Sequence, residues 1–334
     1  MKVLWLQAAG CGGCTQSLLG AENRAGVLAQ LADAGVDLLL HPALSEASGK
    51  DALDLLHAAA SGALPFDILC VEGALLRGPN GSGRFQILSG SGRPVIDWVR
   101  ELAARARQVI AIGSCSAFGG IISSGENRTD ACGLQFDGDQ AGGLLGPDFR
   151  AAAGLPVINV AGCPVHPGWV VDTLLALALA LGAFAESDLD AWQRPRSYTE
   201  QLVHHGCPRN EYYEFKASAE KLSDLGCLME NMGCKGTQAS ADCNLRPWNG
   251  VGSCVRGGFA CISCTEPGFE EPGHPFMETA KVAGIPTGLP IDMPKAWFVA
   301  LAALSKSATP RRVRENSRSD HPVILPGTRK GGPK

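Results

Sequence analysis

The sequence predicts a doubly wound parallel α/β sheet in its first half and an irregular, metal-organised region in its second. Three observations carry that prediction. Short, continuously apolar runs alternate with helix-length segments as far as residue 181, the pattern of a parallel sheet covered on both faces. From His204 to Cys264, eight soft-metal ligands fall within sixty-one residues that show little periodicity of either kind. The chain also holds thirteen cysteines, too many to be idle.

In chain order, strands are expected over residues 3–8, 36–40, 67–71, 109–112 and 156–160. Helices are expected over 15–34, 50–61, 94–107 and 168–181. In such sheets the functional crevice lies beyond the carboxyl ends of the strands. Three of these strands end in cysteine-bearing loops: Cys11 and Cys14 after the first, Cys115 in Gly-Ser-Cys-Ser, and Cys163 in Gly-Cys-Pro. Four thiolates so placed suit a single four-cysteine site. A thioredoxin-like reading of Cys11-x-x-Cys14 leaves Cys115 and Cys163 unexplained. Gly10-x-Gly12 lacks the third glycine of a dinucleotide fingerprint, and no Gly-Lys-Ser/Thr of a P-loop occurs.

Cys70 sits inside an apolar strand, where a thiol acts as a small hydrophobe, and Cys132 has no partner at ligand spacing. Setting both aside leaves eleven cysteines and His204. They divide into three groups of four: Cys11, Cys14, Cys115, Cys163; Cys243, Cys254, Cys261, Cys264; and His204, Cys207, Cys227, Cys234. Structural zinc meets the same ligand count, so spacing alone leaves zinc and iron-sulfur clusters both open.

At 334 residues, 45% hydrophobic and 19% charged, the chain is long enough for two globular domains. A formal charge of -4 gives no reason to expect nucleic acid or an anionic membrane as partner. The N-terminus MKVLWLQAAGCGGC lacks the marks of a secretory or twin-arginine signal, so a cytoplasmic location is expected, where disulfides are disfavoured. The most apolar run, residues 170–185, holds Asp172 and falls short of the roughly 20 residues that span a bilayer. No membrane anchor is expected.

VLWLQAAGCGGCTQS, VEG at residues 71–73, IGSCSAFGG at 112–120, GCPVHP at 162–167, HHGCPR at 204–209, MGCKG at 232–236 and CISCTEPGF at 261–269 together resemble the small subunit of nickel-iron hydrogenases. The motifs come in that family's order over residues 1–275. The resemblance implies a flavodoxin-like domain with a proximal 4Fe-4S cluster over residues 1–185, a medial and distal cluster domain over 186–275, and a C-terminal extension over 276–334. It implies a large-subunit partner carrying the nickel-iron (NiFe) centre, where hydrogen is split, with electrons leaving through this chain. Cys11, Cys14, Cys115 and Cys163 are then the proximal ligands; His204, Cys207, Cys227 and Cys234 are the distal ones. A neutral imidazole in place of a thiolate favours cluster reduction, which suits an electron exit. Glu72 of the VEG motif is expected at the large-subunit interface.

Several positions depart from the family pattern. Many members have a proline and three cysteines at the medial site, with a 3Fe-4S cluster; here Cys254 lies close to where the proline falls. A medial 4Fe-4S cluster on Cys243, Cys254, Cys261 and Cys264 is therefore expected, giving three 4Fe-4S clusters, with medial 3Fe-4S as the alternative. Cys227 and Cys234 stand one residue further apart than usual, and Gln16 replaces a common Glu. Gly13 and Gly120 occupy the places of the extra proximal cysteines of oxygen-tolerant members. The chain resembles most the cytoplasmic hydrogen-sensing group, which signals to a histidine kinase; an uptake enzyme with a soluble carrier is the alternative. The segment 306–334 has eight Lys/Arg against Glu315 and Asp320 and little apolar pattern, so it is expected to lack a core. It is either a solvated end or a surface for the kinase or for assembly of several heterodimers.

Overall fold

A computed structural model of the chain describes residues 1–21, 26–179, 184–273 and 276–325. Five parallel strands, β1 (Lys2–Gln7), β2 (Asp37–Leu40), β3 (Ile68–Glu72), β4 (Gln108–Ile112) and β5 (Ile158–Val160), form one sheet in the order β2-β1-β3-β4-β5. This is the flavodoxin-like doubly wound order, with its switch point between β1 and β3. Every residue of β3 and β4 is buried, which is why these strands read as continuous apolar runs rather than alternating ones. Leu4, Leu69, Val71, Val109 and Ala111 pack with Leu56, Trp98 and Leu102 of α3 (Gly49–Ser61) and α4 (Val95–Ala103). The alternate residues Val3, Trp5, Ile68, Cys70 and Ile110 are equally buried on the other face by the two-residue period of strands. Cys70 is thus the small hydrophobe that its sequence context implied.

The helix expected over 15–34 is two helices, α1 (Gly13–Leu19) and α2 (Val27–Asp33). Gly20 closes the first, and Gly26, at φ 81°, precedes the second in a conformation that a helix interior does not accept. A short α5 (Ser114–Phe118) follows β4, and α6 (Pro167–Leu179) follows β5; its expected end at Leu181 lies outside the described residues. α7 (Arg196–Thr199) closes this part of the chain.

The chain divides into two compact units that do not follow three consecutive domains. The first is Met1–Glu200 with Trp248–Gly250 and Cys264–His274; the second is Gln201–Pro247, Val251–Ser263 and Pro275–Lys334. Residues after Cys264 belong to the first unit because Arg194, 2% exposed, binds the Thr265 carbonyl at 2.7 Å and Glu266 at 2.9 Å, while Asp190 holds the same guanidinium at 2.8 Å.

The second unit is built mostly of turns, with α8 (Asn210–Glu214), α9 (Lys295–Ser307) and α10 (Arg311–Asn316). The described part of the C-terminal segment has no core of its own and packs onto the rest of the second unit. Phe298 joins Tyr213 and Met229, and Val313 is 0% exposed. Backbone bonds from Gly226 to Ser317 and from Leu225 to Ser319, both 2.8 Å, fasten it further. Its basic residues are partly used at home: Lys306 pairs with Glu230 at 2.7 Å, and Arg312 with Glu211. The segment carries little apolar pattern of its own because it borrows its core from residues 213–229. No helix of the described residues is long and apolar enough to cross a membrane.

Val313→Ala removes two methyl groups from this borrowed core and should cost about 1–3 kcal/mol. Denaturant unfolding, with limited proteolysis of the 295–325 segment, checks the loss; an unchanged midpoint would mean that the segment is not anchored through Val313.

Candidate metal centres

Three strands deliver the first group. Cys11 and Cys14 follow β1, Cys115 lies in α5 just beyond β4, and Cys163 lies between β5 and α6. The four sense one another electrostatically: Cys115 is affected by Cys163 and Cys11, and Cys14 by Cys115 and Cys163. Burial pushes the Cys115 thiol up to about 12, with Cys163, Cys11 and Glu270 adding to the rise. It raises Cys14 and Cys163 as well. Such thiols stay protonated unless a cation takes the proton's place. Space is kept at the sulfurs by glycine: a Cβ on Gly113 would stand 2.5 Å from Cys14 Sγ, and one on Gly120 3.0 Å from Cys115 Sγ. Four thiols, three of them half-buried and Cys11 exposed, around space that a Cβ would fill fit a four-cysteine cluster.

The loops that carry these ligands are pinned by side chains to which the motifs gave no role. Ser114 donates to the Cys264 carbonyl and accepts from the Gly162 amide at 2.8 Å, linking three cysteine-bearing segments of the first unit. Tyr198 accepts from the Ala161 amide and donates to the Asn159 carbonyl, both at 3.1 Å, with its ring stacked on Trp169 at 4.2 Å. Both fix the chain just before Cys163.

Glu72, expected at the large-subunit interface, is 2% exposed within the chain itself. Its carboxylate accepts the Thr15 amide at 3.1 Å, the Thr15 hydroxyl and the Trp5 indole N–H at 3.2 Å. Helix α1 has no side-chain cap of its own, so Glu72 satisfies one of its first-turn amides from across the sheet. Its role is to hold the Cys14 turn, and it also adds to the raised Cys14 pKa.

The third group lies wholly in the second unit. His204, Cys207, Cys227 and Cys234 line one cavity of about 340 Å³, counting space open to solvent, together with Arg209, Tyr213 and Thr237. Burial pushes Cys207 up to about 11 and Cys227 up to about 12, and raises Cys234. Burial also lowers the His204 pKa, favouring the neutral ring that a metal binds. His204 Nε2 faces Asp292 Oδ2 at 3.3 Å, whereas its Nδ1 is buried without a hydrogen-bond partner. An imidazole nitrogen so left, on a ring that lines a cavity with three thiols, fits a metal ligand.

In the second group, Cys243, Cys254 and Cys261 lie in the second unit and Cys264 in the first, so the fourfold set remains a reading of spacing. Cys254 is no bystander to Cys243: burial first and Cys254 next push the Cys243 thiol up to about 12. The Lys235 amide binds the Cys261 carbonyl at 2.8 Å, so the Cys234 and Cys261 loops are directly joined. A backbone amide two residues on also approaches the sulfur of Cys11, Cys207 and Cys261, at 3.3, 3.4 and 3.4 Å. N–H donors of this kind stabilise negative charge on cluster sulfur. Cys132, 0% exposed beside Leu75, and Cys70 stay outside all three groups.

The chain is similar to known proteins over most of its length. Residues 11–177 match the family described as NADH ubiquinone oxidoreductase, 20 Kd subunit, and residues 199–277 match the family of the C-terminal part of the NiFe/NiFeSe hydrogenase small subunit. The chain is 32% identical to the F420 non-reducing hydrogenase II small subunit of Methanosarcina mazei, over 91% of this chain and 82% of that protein. It is 32% identical to the periplasmic NiFeSe hydrogenase small subunit of Desulfomicrobium baculatum, over 82% and 86%. Among solved structures, a chain of the actinobacterial-type NiFe-hydrogenase of Ralstonia eutropha H16 superposes with a TM-score of 0.74 at 29% identity, covering 98% of this chain and 95% of that one. A chain of the NiFeSe hydrogenase of Desulfovibrio vulgaris Hildenborough gives 0.69 at 28%, covering 83% and 97%.

Glu72→Ala should destabilise the chain by about 2–4 kcal/mol, since it leaves buried donors on Trp5 and Thr15 unpaired. Glu72→Gln keeps one acceptor oxygen and should cost about 1–2 kcal/mol. Denaturant melts of the two variants check the ranking; equal, negligible losses would remove Glu72 as the anchor of α1.

Proposed function

The chain belongs to the small subunits of nickel-iron hydrogenases, and on that premise we propose that it carries electrons between a large subunit's nickel-iron centre and an acceptor through three 4Fe-4S clusters. Cys11, Cys14, Cys115 and Cys163 hold the proximal one, Cys243, Cys254, Cys261 and Cys264 the medial one, and His204, Cys207, Cys227 and Cys234 the distal one. The observation that carries this reading is the cavity in which the buried, unpartnered Nδ1 of His204 stands with the three cysteines Cys207, Cys227 and Cys234. When bound, the clusters supply reversible one-electron couples. The chain's own part is to hold sulfur and imidazole donors in place and to supply amide N–H groups to Cys11, Cys207 and Cys261. Hydrogen activation is left to the large subunit.

A cytoplasmic setting belongs to the same proposal. Cys70 and Cys132, which none of the clusters takes, are buried free thiols, as a reducing compartment keeps them. Cell fractionation tests it.

For the fate of the electrons, transfer to a soluble acceptor is the reading we favour. The C-terminal segment, which as a free arm would suit a histidine kinase, is folded onto the second unit as far as residue 325. It also has a counterpart in the R. eutropha chain, whose match spans nearly all of this one. Hydrogen sensing is the second reading, supported by the exposed guanidiniums of Arg311 and Arg318, which give a kinase a basic surface. Slow turnover with every soluble acceptor, together with hydrogen-dependent kinase phosphorylation that Arg311→Glu/Arg318→Glu abolishes, would decide for sensing.

Metal analysis of the anaerobically purified complex should give about twelve irons with matching sulfide in this chain and one nickel in its partner. Cys254→Pro should lower the iron count by one and create the EPR signal of an oxidised 3Fe-4S cluster. Zinc without sulfide would overturn the reading, whereas a native 3Fe-4S signal would overturn only the medial 4Fe-4S assignment.

A further inference from the structure

The residue that completes the His204 environment comes from far along the chain, beyond every motif. Asp292 Oδ2 stands 3.3 Å from His204 Nε2 and 2.9 Å from His205 Nε2. It is held from both sides. The Ile291 amide binds the carbonyl of Thr237, itself a cavity-lining residue, at 3.2 Å. On the other side, Pro294 leads into α9, whose Phe298 packs with Tyr213 and Met229, with Leu289, Met293, Cys227 and Cys234 against the same cluster of side chains. The carboxylate is therefore brought to His204 by a packed segment rather than by a loose surface chain.

We propose that Asp292 is the positioning residue of the distal ligand His204: it accepts the Nε2–H, fixes the tautomer that leaves Nδ1 as the donor to iron, and by its charge makes the imidazole a stronger donor. This rests on the assignment of His204, Cys207, Cys227 and Cys234 to an iron-sulfur cluster. A neutral imidazole in place of a thiolate favours cluster reduction, and a carboxylate behind it works in the opposite direction, stabilising the oxidised form. The ligand is thus of intermediate character, between a bare imidazole and a thiolate. A competing use of the same atoms is a separate cation held by His204, His205 and Asp292, whose ligand atoms lie within 4.8 Å of one another. That use takes the Nε2 lone pair and moves the ring proton to Nδ1, into the cavity beside three thiols. The buried Nδ1 without an acceptor decides against it.

The experiment uses the intact heterodimer, native and with Asp292→Asn, Asp292→Ala and Asp292→Glu. Each is titrated electrochemically with EPR of the distal cluster, and ligand nitrogen coupling is measured on the reduced cluster. Asp292→Asn keeps the shape and one acceptor and removes the charge, so it is the decisive variant. The expected result is a rise in the distal midpoint potential for Asn and Ala, read as a several-fold larger ratio of reduced to oxidised cluster at the native midpoint. Glu should restore the native value in part, with the proximal cluster unmoved in all three. Unchanged distal potentials in Asn and Ala, with nitrogen coupling still present, would overturn the role of Asp292 and leave the cluster assignment standing. Absence of nitrogen coupling in the native heterodimer would overturn the assignment of His204 and the inference with it.

Discussion

A thiol taken out of water does not ionise without a cation beside it, and this constraint organises the chain. Burial raises the thiol pKa in each of the three ligand groups, and in the first group the thiols raise one another. Hydrophobic burial therefore favours a state in which these sulfurs are neutral, whereas the proposed chemistry needs them as thiolates. Iron resolves the conflict by displacing the proton, so that cluster insertion releases protons and ties the ligand loops together in one step. The sheet is otherwise self-sufficient. Its strands are buried on both faces, and its core does not involve the ligand sulfurs.

The two units meet that constraint differently. In the first, a rigid sheet brings the ends of β1, β4 and β5 to one edge, and single buried side chains fix what the sheet does not: Glu72 for α1, Ser114 for the Gly162 turn, Tyr198 for the end of β5. In the second, few backbone ladders exist. The fixing is done by turns, by the buried guanidinium of Arg209 on the carbonyls of Asp224 and Gly226, and by the returning C-terminal segment. The direct link from Lys235 to Cys261 keeps two ligand loops adjacent, as short electron hops require.

The sheet was legible in the sequence because a parallel strand buried on both faces must be apolar throughout, and five such runs stood between helix-length segments. The ligands were legible because sulfur at short spacing has few other uses in a chain of this composition. What escaped had a physical reason in each case. Glu72 carried a recognisable motif, but its partners Trp5 and Thr15 stand 67 and 57 positions away, where no spacing rule reaches. The break between α1 and α2 rests on backbone angles at Gly26 that a sequence only permits. Asp292 is 88 positions from His204, with no spacing rule to connect them. The packing of the C-terminal segment was hidden because Phe298 takes its buried neighbours, Tyr213 and Met229, from far earlier in the chain.

The chain order of the ligands also bears on how such a protein is made. Cys11 and Cys14 leave the ribosome early, but their partners Cys115 and Cys163 wait for the fourth and fifth strands of the sheet. Asp292 and α9 are made after every cysteine has emerged. A chain cut short before that late segment keeps every sulfur ligand yet lacks the carboxylate beside His204 and the Phe298 packing on Tyr213 and Met229.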